Sequence, residues 1–120
     1  MAARGSVLLQ NHGALPVRFS DEVHTIAVVG AQAAAPIIVG GGSGAVGTRF
    51  VSTPLDAIRA RVQKVPGAAI TYSDGRNVTN ATLSAASADR VLIFVGTSSR
   101  EGADRADLRL GAQVTERDRP

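Results

Sequence analysis

The sequence predicts an α/β fold with a mostly parallel sheet flanked by helices. Three observations carry this. Two short β-branched runs, Thr25 to Val29 and Val91 to Val95, each stop at a glycine, which suits strands and is too short for free helices. Between them lies one well-marked helix. The apolar residues are mostly Ala and Val, with 44% hydrophobic content, 13 Gly and only 3% aromatic residues, so the core must be built from small side chains.

The helix spans Ser52 to Val65. Thr53 sits at the N-cap, Pro54 at the first helical position and Asp56 three residues after the cap, where each satisfies or favours the open amino end. Leu55, Ile58, Val62 and Val65 form one apolar stripe. Arg59, Arg61 and Lys64 fall in the later turns and suit the dipole. Pro66-Gly67 ends the helix, and Ala68 to Tyr72 is a further strand closed by Ser73-Asp74-Gly75.

Met1 to Arg4 has the character of a last helical turn ended by Gly5. Val7 to Leu9 is an apolar run closed by Asn11-His12-Gly13, and Leu15-Pro16-Val17 continues extended, because a residue before proline disfavours α. His12 is read as a turn residue and His24 as a strand-edge residue. Ala31 to Ala35 forms a short helix or an irregular run ended by Pro36, and Ile37-Ile38-Val39 enters a glycine run as an extended piece. Farther on, Asn80 or Thr82 caps a short helix through Ala88. Asn77-Val78-Thr79 and Asn80-Ala81-Thr82 fit the glycosylation sequon, which matters only in a eukaryotic secretory pathway.

Val91 to Val95 is expected to be covered on both faces, as in a parallel sheet. Ligands in open α/β sheets gather beyond the carboxyl ends of such strands. The polar stretch Thr97 to Asp107 therefore occupies the candidate functional edge, and Glu101 is its one glutamate.

Composition narrows the partners. At 120 residues the chain is one domain at most. The net charge of +3 comes from 13 basic residues, twelve of them Arg, scattered and with no aromatic platform among them, which argues against nucleic-acid binding. Without Cys there is no disulfide framework, thiolate metal site or thiol nucleophile. No apolar run approaches the ~20 residues that span a bilayer. Neither a metal nor a cofactor is expected.

Four pieces resemble glycoside hydrolase family 3, the β-glucosidase-like enzymes. They are Val7-Leu8-Leu9-Gln10-Asn11 with Leu15-Pro16-Val17; Ile26-Ala27-Val28-Val29-Gly30; Gly40-Gly41-Gly42-Ser43-Gly44-Ala45-Val46; and Glu101-Gly102-Ala103-Asp104-Arg105 after Phe94-Val95-Gly96-Thr97. The resemblance implies a TIM-barrel domain that supplies an Asp nucleophile, followed by an α/β sandwich that supplies the acid/base. This chain resembles part of the second domain, over residues 1–110. Residues 111–120 depart from it and are expected to form a solvated tail: ten of the chain's 23 charged residues lie between Arg100 and Arg119, evenly split by sign.

By that resemblance Glu101 is the acid/base, Asp104 and Arg105 shape its loop, and Gly40, Gly41, Gly42, Ser43 and Gly44 border the sugar pocket. The substrate implied is a β-linked glucoside or oligosaccharide, and the missing partner is the barrel domain. Retaining hydrolysis needs two carboxyl groups roughly 5–5.5 Å apart; only one has a candidate here. The alternative reading is a small flavodoxin-like module holding a phosphorylated ligand in the Gly40 to Gly44 loop. That loop lacks the Lys and Ser/Thr of a P-loop.

Overall fold

A computed structural model of the chain describes residues 2–19, 23–39, 43, 46–97 and 102. Its centre is a parallel sheet of three strands: β1 (Thr25–Val29), β2 (Ala69–Ser73) and β3 (Arg90–Ile93), in the order β2-β1-β3. Thr25 lies opposite Ala69, and Ile26 opposite both Ile70 and Arg90. β1 is therefore the middle strand, and Ala27 and Val28 are completely buried.

Helix α1 is the single turn Ala2–Gly5. A short 3-10 segment, Ala31–Ala33, follows β1. Helix α2 (Pro54–Val62) connects β1 to β2, and α3 (Val78–Ala86) connects β2 to β3. The first connection moves to one side of β1 and the second crosses back over it, so right-handed crossovers place α2 and α3 on opposite faces of the sheet.

The α2 face holds the core. Ile26 and Val28 from β1 pack with Ala33, Leu55 and Val62, and Ile70, Tyr72, Leu92 and Phe94 close around them. Leu55, Ile58 and Val62 lie on one stripe of α2, as their spacing requires. Thr53 caps the helix: its Oγ1 accepts the Asp56 N–H at 3.0 Å and donates to Asp56 Oδ2 at 2.7 Å. The Arg59 guanidinium lies 6.0 Å from the centre of the Tyr72 ring, joining α2 to β2 at their exposed rim.

The α3 face is thinner. Ala81, Ser84, Ala85 and Ala88 are the partly buried positions along α3 and its C-terminal turn, an i, i+3, i+4, i+7 row of small side chains. The helix buries no residue fully. Its cap is Asn77, whose side chain accepts the Asn80 N–H at 3.0 Å. This corrects the sequence expectation of Asn80 or Thr82 as cap. Asn77 has the extended backbone of an N-cap, and Asn80 is already one turn inside.

A second correction concerns β3. Leu92 and, just past the strand's end, Phe94 pack against the core, but Val91, Ile93 and the following Val95 are 38%, 66% and 61% exposed. Among the described residues β3 is an edge strand, packed against the core on one face and left open on the other. A continuous apolar run records the residue type that both faces accept, and here only one face is filled.

Of Ala31 to Ala35, expected as a short helix or an irregular run, the first three residues form the 3-10 segment, and Ile37-Ile38-Val39, expected as an extended piece, belongs to no strand. Before β1, Asn11 closes a turn on Leu15 by donating from Nδ2 to the Leu15 carbonyl at 2.8 Å and accepting its N–H at 3.0 Å. His12 Nε2 lies 2.6 Å from the Gln10 amide nitrogen, within that turn. No described helix is long and apolar enough to cross a membrane.

Candidate functional site

The carboxyl ends of the three strands converge tightly. Gly30 ends β1, and its N–H donates to the Ser73 carbonyl at 2.8 Å while the Phe94 N–H donates to the Val29 carbonyl at 2.8 Å. Gly30 adopts φ +114°, and a Cβ there would collide with the Phe94 carbonyl oxygen and lie 2.9 Å from its carbon. Only glycine serves at this position, because both the backbone angle and the space exclude a side chain.

The chain leaves β3 and runs past this junction as Phe94-Val95-Gly96-Thr97. A Cβ on Gly96 would stand 2.9 Å from Gln32 Cγ and 3.0 Å from Cδ. Gln32, in the 3-10 segment, also accepts the Ile37 N–H on Oε1 at 2.9 Å. Two stretches of chain thus meet at one edge: the residues that lead into the glycine run, and those that lead toward Glu101.

Beside the first of these is an open groove of about 760 Å3, lined by Ile38, Val39, Val46, Arg49, Phe50 and their neighbours. Phe50 is 80% exposed. Across the edge, Asp74 accepts the Arg76 N–H at 3.0 Å on Oδ1, and the Asp74–Arg76 ion pair spans 3.7 Å between largely exposed side chains.

Most of the residues singled out from sequence lie outside the described residues: Glu101, Asp104, Arg105, Gly40, Gly41, Gly42 and Gly44. Ser43 is exposed. Gly102, next to Glu101, has φ +74° and open space where a side chain would stand, so the residue after the glutamate takes the left-handed angle of a turn. The next described helix after Ser43 begins only at Pro54, unlike a phosphate loop that opens directly into a helix. Among the described residues no cluster of His, Asp and Glu could hold a metal ion.

The opposite, amino edge of the sheet is held by Asp89. Its Oδ2 accepts the His24 N–H at 2.9 Å, the Thr25 N–H at 2.8 Å and the Thr25 hydroxyl at 2.7 Å. These bonds, the Thr25 hydroxyl foremost, lower the Asp89 pKa to about 2. The cluster joins the starts of β1 and β3, far along the strands from the candidate site. His24 is exposed and acts on Asp89 through its backbone N–H and, more weakly, through its charge.

A model of the glycosyl hydrolase family 3 C-terminal domain matches residues 6–117. The chain belongs to this family. A β-glucosidase of Rhizobium radiobacter is 42% identical over 60 residues, covering 50% of this chain and 7% of that protein. A probable β-glucosidase G of Emericella nidulans is 33% identical over 139 aligned residues, covering 96% of this chain and 16% of that protein. The chain therefore spans less than a fifth of either relative. No solved structure matches it. The three-stranded parallel sheet with its flanking helices is an α/β arrangement in keeping with the family 3 C-terminal domain.

Sequence reasoning overlooked Gln32 and the paired demands of Gly30 and Gly96. The available signal was a glycine at the end of each strand, which marks close backbone approach as well as a turn.

Proposed function

We propose that this chain is the part of a retaining β-glycosidase that supplies the acid/base, Glu101, and one wall of the sugar pocket, formed by Gly40 to Gly44. The family match over residues 6–117 carries the reading, since Glu101 lies within it on the stretch that follows β3. The placement of Phe94 to Thr97 at the carboxyl edge supports it, because that is where open α/β sheets bind ligands.

In this mechanism a carboxylate from the nucleophile domain attacks the anomeric carbon while the Glu101 carboxyl donates its proton to the leaving oxygen. The resulting Glu101 carboxylate then takes a proton from water as that water attacks the glycosyl-enzyme ester. Glu101 must begin protonated at working pH, which burial against the sugar or proximity to the second carboxylate achieves by disfavouring its charged form. Asp104 and Arg105 hold the loop by charge pairing, and the glycine run lets backbone approach the sugar closely. The substrate is a β-linked glucoside or oligosaccharide.

The test is a chimera in which this segment replaces the aligned part of the Emericella nidulans relative. General acid help is worth typically 10²–10⁴-fold, and an activated leaving group departs without it. Glu101→Ala should therefore slow alkyl glucosides by that order while dinitrophenyl glucoside loses far less. Equal losses on both would remove Glu101 from the acid role.

A further inference from the structure

We propose that Gln32 is a positioning residue that clamps the entrance of the glycine run to the exit of β3, so that the two halves of the candidate site are set by one side chain. Its bearing on catalysis rests on the acid/base reading above; the clamp itself is a matter of geometry.

The side chain is fixed at three points. At its root, the 3-10 segment is tied to β1: the Ala33 N–H donates to the Gly30 carbonyl at 3.1 Å, and Ala33 is fully buried. Along its stem, Cγ and Cδ occupy the space where Gly96 would carry a Cβ. At its head, Oε1 accepts the Ile37 N–H. Ile37 has no strand partner for that N–H, since Pro36 to Ile38 take no regular structure, so the glutamine supplies the acceptor a sheet would otherwise give.

The consequence is a mechanical link. Ile37 lies three residues before Gly40, and Gly96 lies five before Glu101. A glutamine fits because its amide oxygen reaches beyond a stem of two methylenes. An alanine would leave the Ile37 N–H without its acceptor and Gly96 without its packing partner. A glutamate, equal in length and with an oxygen in place, would keep both.

The experiment is hydrogen exchange and chemical-shift mapping by NMR on the 120-residue chain. In Gln32→Ala the Ile37 amide should exchange roughly two- to tenfold faster, the scale of one lost hydrogen bond, and signals should move at both 36–39 and 96–97 while Ile26 to Val28 stay in place. Gln32→Glu should restore both segments. Gly96→Ala pushes on the same side chain from the strand side, and it should disturb Ile37 although that residue is 59 positions away in sequence. This variant decides the matter should Gln32→Ala fail to fold. The clamp is refuted if Gln32→Ala leaves 96–97 unmoved, if Gln32→Glu behaves like the alanine, or if Gly96→Ala leaves Ile37 unchanged. None of these readouts involves Glu101, so a failed acid/base assignment and a failed clamp are told apart.

Discussion

Single residues hold this fold at the two ends of its sheet by different means. At the amino edge the means is electrostatic. Asp89 has its pKa lowered to about 2, so its ionised form is the one the fold prefers. The stability it adds is fully present above the unfolded carboxylate value of about 3.9 and is lost as pH falls toward 2. Thermal melts of the wild type should therefore drop between pH 4 and pH 2. Asp89→Asn should melt lower at pH 6 and lose less across that acid window. At the carboxyl edge the means is absence of a side chain: Gly30→Ala places a Cβ against the Phe94 carbonyl at a positive φ. Strain of this kind costs of order 1–3 kcal/mol before the clash is counted. A circular dichroism melt of this variant should show a lower midpoint or no cooperative transition.

At the scale of elements, the fold was legible where local signals were strong. Thr53, Pro54 and the Leu55/Val62 stripe made α2 readable, and it appears as Pro54–Val62 with that cap. Thr53→Ala should cost about 1 kcal/mol, and Leu55→Ala, in the buried cluster, about 2–5 kcal/mol. Ile93→Thr, on the open face of β3, should stay within about 0.5 kcal/mol. Urea unfolding of the three variants checks the order. What could not be read locally was set by neighbours far away in sequence. β1 is central because α2 and α3 send β2 and β3 to either side of it, and nothing in Thr25 to Val29 states this. The exposure of Val91 and Ile93 depends on what lies over β3, not on β3 itself. Asn77 and Asn80 are alike by type, and the choice of cap follows from where α3 meets the end of β2. The site was legible in part: strand polarity brings both Gln32, just after β1, and Phe94 to Thr97, just after β3, to one edge, whereas the contact of Gln32 with Gly96 is set by tertiary packing.

For the molecule as a whole, the small core and the separated chemistry lead to one picture. The buried hydrophobic set among the described residues contains only seven side chains, two of them alanine, and such a core supports marginal stability. The isolated chain should melt below roughly 70 °C, and on the proposed reading, in which it supplies one of the two required carboxyl groups, it should turn over no aryl glucoside. The central claim is that Glu101 serves as both acid and base, and azide addresses it most directly. In the chimera carrying Glu101→Ala, glycosyl-enzyme should accumulate on an activated glucoside because water is no longer deprotonated. Azide attacks without needing a base, so it should restore turnover and yield β-glucosyl azide, while Asp104→Ala shows no such rescue. A Glu101→Ala chimera whose rate stays unchanged in azide, with no glucosyl azide formed, would contradict the claim.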